Sequence, residues 1–382
     1  MNKKERIGRH IKSSVVGGES YEIYIPKPLP PKPKIEINQF YHLLDEANTA
    51  LGRLDGITLN LSDISLFLYM YVRKEAVLSS QIEGTQSSLS DILLFENNES
   101  PATSIDDVSE VSSYVAAMHY GLKRLDTLPL SLRLIKETHK KLMSNSRGNN
   151  KQPGEFRNSQ NWIGGSRPGN ASFVPPSPEH LMDCLDKFEK FLHDENVKLP
   201  ILVRAALAHV QFETIHPFLD GNGRIGRLLI TLMLCASGIL KEPLLYLSLY
   251  FKKNRDEYYN QLQSIRLTGD WESWIKFFLT GVIETANQAA ATARNILSLF
   301  KRDLAKIEES KSTATTLVIY NYLQRNPITT ISTIKKNCEV TGPTAIRTLN
   351  TLQSLGIIKE VTGKDRYKIF VYQEYLDMLN KN

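Results

Sequence analysis

One twelve-residue segment restricts this 382-residue chain more than any other: His216-Pro217-Phe218-Leu219-Asp220-Gly221-Asn222-Gly223-Arg224-Ile225-Gly226-Arg227. One helical pattern, Leu199 to Thr214, runs into it and another, Arg224 to Cys235, leaves it. The segment is therefore a joint between two helices. It carries an imidazole, a carboxylate, three glycines, an amide and two guanidiniums. Packing alone does not call for that density of polar and flexible groups, whereas handling phosphate does. The N-terminus of a helix has unpaired N–H groups and a partial positive charge, which make it a seat for anions. Gly221 and Gly223 let the backbone turn and approach an anion with no Cβ in the way.

Each polar residue has a natural task. His216, at the loop start, can take a proton from an attacking hydroxyl as a neutral imidazole. Asp220 supplies a hard oxygen ligand for Mg²⁺ or Mn²⁺, which also binds phosphate oxygens. Asn222 and the loop N–H groups can hold one phosphate. Arg224 and Arg227, spaced i and i+3, share a helix face and can fork onto two more. Phe218 would anchor the loop in the core. The set suits attack of a hydroxyl on a phosphate of a nucleoside triphosphate, with pyrophosphate leaving. The plainer reading is a glycine loop with a core histidine and surface arginines.

The same residues resemble the Fic/Doc motif, His-x-Phe-x-Asp/Glu-Gly-Asn-Gly/Lys-Arg-x-x-Arg, at every position. The resemblance implies a mainly α fold, a Fic helical bundle, and transfer of AMP from ATP to a Ser, Thr or Tyr hydroxyl of a protein. It makes His216 the base, Asp220 the metal ligand, and Gly221, Asn222, Gly223, Arg224 and Arg227 the nucleotide and phosphate binders. Upstream, a helical pattern from Leu66 to Ile82 ends in Ser79-Ser80-Gln81-Ile82-Glu83-Gly84. Ser79 and Glu83 lie on one face and Gly84 is a helix stop. By itself this is a solvated carboxylate at a helix end. Its spacing also resembles the inhibitory motif of self-restrained Fic proteins, which implies that Glu83 pairs with Arg227 and blocks seating of the γ-phosphate. Other outcomes on the same scaffold are removal of AMP with Glu83 positioning water, UMP or γ-phosphate transfer, and nucleotide sensing by a transcriptional regulator. The intact His216 argues against mere sensing.

Between the two motifs, Gln160 to Gly165 and Ala171 to Pro176 read as two short strands around a turn. This β-hairpin is similar to the family's flap, which implies that Trp162, Ile163 and Gly164 dock a target segment by strand addition. An ordinary surface hairpin is the alternative.

The last seventy residues read as a separate unit of three helices, Thr313–Arg325, Thr329–Lys336 and Thr341–Leu355, followed by strand, turn and strand up to Tyr372. That is the pattern of a winged helix-turn-helix. Ile346, Leu349, Leu352 and Leu355 are expected inward on the third helix. Thr344, Arg347, Thr348 and Thr351 are expected outward, as on a DNA-reading helix, with Lys364 and Arg366 in the wing within phosphate reach. The unit is only weakly basic, so protein contact or homodimerisation competes with DNA binding.

The chain divides into an extended N-terminal arm (1–35, rich in proline), a helical region with the inhibitory helix (36–104), the catalytic domain (105–300), and a linker with the winged helix (301–382). Net charge is +6, and 41% of residues are hydrophobic and 23% charged, ordinary for a globular chain. Cys184, Cys235 and Cys338 lack ligand-like spacing, the N-terminus lacks an apolar signal core, and the most apolar run, Leu228 to Leu240, is too short to span a bilayer. The expectation is a cytoplasmic protein without membrane contact, using ATP, modifying a target hydroxyl and capable of modifying itself.

Overall fold

The computed structural model describes residues 2–14, 19–58, 65–97, 100–144, 149–364 and 366–381. The chain is mainly helical. It opens with a hairpin, β1 (Arg9–Ser14) and β2 (Ser20–Ile25), and continues through α1 (Tyr41–Thr58), α2 (Ser65–Ile82), α3 (Leu89–Glu96), α4 (Ile105–Leu125) and α5 (Leu132–Leu142). Then come α6 (Pro178–His193), α7 (Ile201–Ile215), α8 (Asn222–Ala236), α9 (Ser248–Lys253), α10 (Arg255–Thr268) and α11 (Trp271–Glu309). The C-terminal segment adds α12 (Ala314–Arg325), β3 (Ile328–Thr330), α13 (Ile331–Asn337), α14 (Gly342–Ser354), β4 (Lys359–Glu360), β5 (Ile369–Val371) and α15 (Gln373–Asn380).

The centre of the bundle is α7. Every residue from Ala205 to Ile215 is buried, and the helix packs against α6, α8 and α11. A helix buried on all sides, with its few polar residues hydrogen-bonded or facing the site, suits a central position. The Trp274 indole, at 0% exposure, donates to the Ala206 carbonyl at 3.0 Å and so ties α11 to α7. Helix ends carry local signals. Ser88 and Asp91 form a capping box on α3, Pro178 begins α6, and Asp270 caps α11 just after Gly269 closes α10 in the left-handed conformation.

Several expectations are altered. The N-terminal arm is not simply extended. Residues 9–14 and 20–25 pair as antiparallel strands, with Arg9 opposite Ile25 and Ser14 opposite Ser20, and Tyr24 N donates to Val174 O at 2.9 Å. Arg6 is buried against Glu272 at 2.7 Å. The expected flap strands shrink to one bridge, Ile163 to Phe173. Positive φ at Gly164 and Gly165 turns the chain away at once, and Pro168 withholds a ladder donor. Its outer side, at Val174, is occupied by β2.

The C-terminal sheet has order β3-β5-β4, all antiparallel. α11 runs unbroken through position 300 into this segment. Tyr372 Oη donates to Asp303 at 2.7 Å, and Arg302 forks onto Glu374 at 2.9 and 2.7 Å. Lys74 of α2 donates to the Leu379 carbonyl at 2.7 Å. On α14 the inward face differs from the expected one: Thr348 is buried (4% exposed) and Ile346 is exposed (45%). The buried arc is set by Ala345, Leu349 and Leu352; helical spacing brings Thr348 into it and leaves Ile346 outside. Arg347, Lys364 and Arg366 are exposed and Thr344 is half-buried. Among the described residues no helix is long and apolar enough to cross a membrane.

Candidate active site

The site is built where α7 stops. His216 takes φ 50°, ψ 61°, a left-handed conformation uncommon outside glycine, and its N–H donates to Phe212 O at 2.9 Å. The turn throws the chain off the helix axis and aims the imidazole into a cleft. Arg157, buried at 2% exposure, holds the turn from outside: Nε donates to His216 O at 2.9 Å, and the guanidinium also reaches the Ser159, Pro176 and Ile215 carbonyls. With carbonyls alone as partners, burial pushes Arg157 down to about 10. Asn161 Nδ2 adds bonds to His216 O (3.3 Å) and Phe218 O (2.9 Å). Neither residue stands out in the sequence, because each acts from more than fifty positions away.

The loop is rigid for identifiable reasons. Phe218 is fully buried and stacks on His139, with ring centroids 3.7 Å apart and 7° between planes. His139 Nδ1 accepts from Gly154 N at 2.9 Å, so Nε2 carries the proton and donates to Asp220 O at 3.0 Å. Burial pushes this imidazole down to about 4, keeping it neutral. Asn222 departs from expectation. Its amide accepts from Phe218 N and donates to Phe218 O, both at 2.8 Å, so the side chain clamps the loop and is not left for a phosphate. Gly221 opens α8 at φ 76°; a Cβ there would stand 3.0 Å from Met143 Sδ.

The remaining polar groups converge. Asp220 is half-exposed, with Oδ1 accepting from Gly221 N at 2.5 Å and from Arg224 Nη2 at 3.5 Å. Among the described residues no cluster of His, Cys, Asp or Glu could hold a metal unaided. A single half-exposed carboxylate suits Mg²⁺, which keeps waters and shares substrate phosphate oxygens. Arg224 is buried and pairs with Glu110. Arg227 is buried and donates Nε to Ser79 Oγ (2.8 Å) and Nη2 to Ser79 O (2.9 Å) and Glu83 Oε1 (2.6 Å). Glu83 thus lies at the start of α8: a Cβ on Gly223 would come within 2.2 Å of its Oε1. Burial opposes ionisation of Glu83, but the charge and hydrogen bond of Arg227 prevail and hold its carboxyl below the ordinary range.

His216 Nδ1 lies 3.3 Å from the Glu213 carbonyl, which can only accept. The proton therefore sits on Nδ1 and Nε2 offers a lone pair. Burial pushes His216 down to about 4, so it is neutral at physiological pH. The imidazole opens on a cleft of about 650 Å³ lined by Glu83, Gly223 and Arg227 on one side, Trp162, Ile163, Gly164 and Phe173 on another, and Tyr258, Tyr259 and Arg266 on a third. Thus the structure gathers His216, Gly223, Arg227, Glu83 and the three flap residues around one space. Asp220, Gly221, Asn222 and Arg224 occupy the adjoining loop and helix start.

A base, a helix N-terminus and Arg227 share one cleft, with Arg224 in the adjoining start of α8, an arrangement suited to a phosphate-bearing ligand. The chain belongs to the Fic/DOC family: residues 129–234 match the Fic/DOC family and residues 41–123 match its N-terminal region. It is 30% identical over 246 residues to protein adenylyltransferase fic-1 of Caenorhabditis briggsae, covering 63% of this chain and 42% of that protein. It is 31% identical over 176 residues to protein adenylyltransferase Fic of Drosophila erecta, covering 46% and 32%. The chain therefore spans well under half the length of these curated relatives. The crystal structure of a Fic family protein from Desulfovibrio desulfuricans G20 shares the fold, with a TM-score of 0.59 at 18% identity, covering 89% of this chain and 97% of that one.

Proposed function

We propose that this chain is a protein adenylyltransferase that moves AMP from ATP to a protein hydroxyl and is restrained by Glu83. The observation that carries the reading is the neutral His216, with Nδ1 pinned to Glu213 O and Nε2 facing the cleft that Arg227 and the start of α8 also line. In the reaction, Nε2 takes the proton of the acceptor hydroxyl as its oxygen attacks the α-phosphorus. A new O–P bond forms, the bond to the bridging oxygen breaks, and pyrophosphate leaves with the electron pair. The α8 N-terminus and Arg227 take phosphate charge, and Arg224 lies one turn away beside Asp220. Asp220 would hold Mg²⁺ or Mn²⁺, which neutralises phosphate charge when bound. Asn222 contributes by holding the loop shape.

Restraint follows from the ion pair. Glu83 occupies the guanidinium face of Arg227 that a γ-phosphate would use and adds negative charge beside a polyanion. The Trp162–Gly164 edge is read as the docking edge for the target segment, since the opposite side of the flap is taken by β2. The C-terminal segment is read as a winged helix with Arg347 on the reading helix and Lys364 and Arg366 in the wing. DNA is its proposed partner, and the buried Thr348 is withdrawn from the contact set.

The test is transfer of label from ATP marked at the α-phosphate or, separately, the γ-phosphate. The α-label should move onto protein, the chain itself included, and be lost in His216→Ala while ATP binding persists. Transfer of γ-label would refute the adenylyl reading.

A further inference from the structure

The carboxyl of Glu213 has no part in the reaction described so far. It lies in the last turn of α7, its side chain is 7% exposed, and its carboxyl borders the cleft. Oε1 has no hydrogen-bond partner. It is packed against the one residue of α8 that admits it, for a Cβ on Gly226 would come within 2.3 Å of it. The second oxygen, Oε2, stands 4.0 Å from His216 Nδ1, while the Glu213 carbonyl accepts the hydrogen bond of Nδ1–H at 3.3 Å. One residue therefore presents both a carbonyl and a carboxyl to the side of the imidazole away from its free nitrogen. An unpartnered carboxyl oxygen in an interior is costly. The contact with Gly226 does not itself require a carboxyl; from α8 only the charge of Arg227 bears on it.

We propose that Glu213 is a positioning residue for His216: its carbonyl fixes the Nδ1–H tautomer, and its carboxylate stabilises the imidazolium that forms when Nε2 takes the acceptor proton. The assignment rests on the adenylyl-transfer reading and adds to it the group that balances the base. The proton balance is simple. The hydroxyl proton moves to Nε2, the imidazole gains one positive charge, and the carboxylate 4.0 Å from Nδ1 offsets it. No proton need pass to the carboxylate. Burial pushes the His216 imidazole down to about 4, so the imidazolium that forms on proton abstraction calls for a compensating charge nearby.

The surroundings of Glu213 decide when the partner is charged. Arg227 from α8 and Arg266 from α10 favour its ionised form; Glu83, in the turn just after α2, opposes it. Tyr258 and Tyr259 face it from α10, and Tyr258 Oη is engaged with His209 Nε2 at 2.8 Å on α7. Arg157 faces the imidazole from the segment before the flap. Burial outweighs the arginines and raises the Glu213 carboxyl to about 7. The carboxylate is therefore formed as pH rises through neutrality, and the rate of proton abstraction should rise with it.

The test measures AMP transfer in the Glu83→Gly background, where restraint is removed, comparing Glu213 with Glu213→Gln and Glu213→Asp across pH 5.5 to 9. Glutamine keeps the shape and the backbone carbonyl and removes only the charge. Its kcat should fall about 10- to 100-fold at pH 8, with KM for ATP within about threefold. With the opposing charge of Glu83 gone the Glu213 carboxyl ionises at lower pH than in wild type, so kcat should rise on the acid side of pH ~7; that rise should be lost in Glu213→Gln and retained in Glu213→Asp. Unaltered kcat and profile in Glu213→Gln would overturn the assignment, as would a raised KM with kcat intact. Should Glu213→Gln prove unfolded by circular dichroism, Glu213→Asp decides alone: a pH limb absent from it overturns the assignment. A Glu83→Gly protein that transfers no AMP at all would refute the adenylyl-transfer reading itself, and this assignment with it.

Discussion

Glu83→Gly deletes the carboxylate that meets Arg227 at 2.6 Å and leaves the two bonds from Arg227 to Ser79 in place. Arg227 is 2% exposed and Glu83 35%, so the pair lies between a dry and a fully wetted one. A hydrogen bond between charged groups contributes about 1.5–3 kcal/mol when shielded, an exposed pair about 0–1. Screening through the open third of Glu83 places this one near ~1.5–2 kcal/mol. A competing γ-phosphate must displace that interaction, so removing it should speed AMP transfer about 10- to 30-fold at fixed ATP. The assay is the initial rate of self-modification with ATP labelled at the α-phosphate. Glu83→Gln, which can still accept from Arg227 but carries no charge, should fall between the two. A second readout is thermal melting: the unpaired Arg227 should make Glu83→Gly less stable without ligand, and ATP should raise its Tm more than it raises wild type. A rate for Glu83→Gly within twofold of wild type would refute the reasoning, and loss of AMP removal from a pre-modified target would assign the glutamate to the reverse reaction instead.

Other outcomes follow from the same geometry. His216→Ala should reduce transfer by about 10² to 10⁴-fold with ATP affinity preserved, measured by rate and by equilibrium binding. Asn222→Ala leaves the buried Phe218 N–H without its partner and the Phe218 carbonyl with Asn161 alone; it should cost about 1–3 kcal/mol in a denaturant melt and slow transfer through loss of loop shape. The raised Glu213 carboxyl favours the fold while protonated, an advantage complete below its unfolded value and lost as pH rises through about 7. The Tm of Glu213→Gln relative to wild type should therefore climb between pH 5 and 8; a constant difference would contradict the buried carboxyl. In the C-terminal segment, Arg347→Ala should weaken specific DNA binding by about 1–3 kcal/mol, and binding should fall steeply with salt. Retention on DNA that ignores both would turn the segment into a protein-contact module.

The sequence made legible what is contiguous or periodic. His216 to Arg227 reads directly because the loop and the opening of α8 are consecutive residues, and the bounds of α7 and α8 follow from apolar patterning and glycine. The Glu83–Arg227 pair could be anticipated only through the resemblance of Ser79–Glu83 to a motif, since 144 positions separate the partners. Arg157, Asn161 and His139 stayed hidden because each supports the loop from a distant segment through backbone carbonyls, which leave no side-chain signature. Asn222 was misread in role because its amide satisfies the local backbone of Phe218. The pairing of β1 with β2 was obscured by the proline run after it. Thr348 and Ile346 exchanged places because Ala345, too small to mark a hydrophobic face by itself, sets the phase of α14.

The most direct test of the central claim is intact-mass analysis of the Glu83→Gly protein incubated with Mg²⁺ and, in parallel, ATP, UTP or GTP. With ATP, one or more AMP groups should be added, and none once His216→Ala is introduced. A gain of phosphate, a gain of UMP in place of AMP, or AMP addition that persists without His216 would contradict that claim.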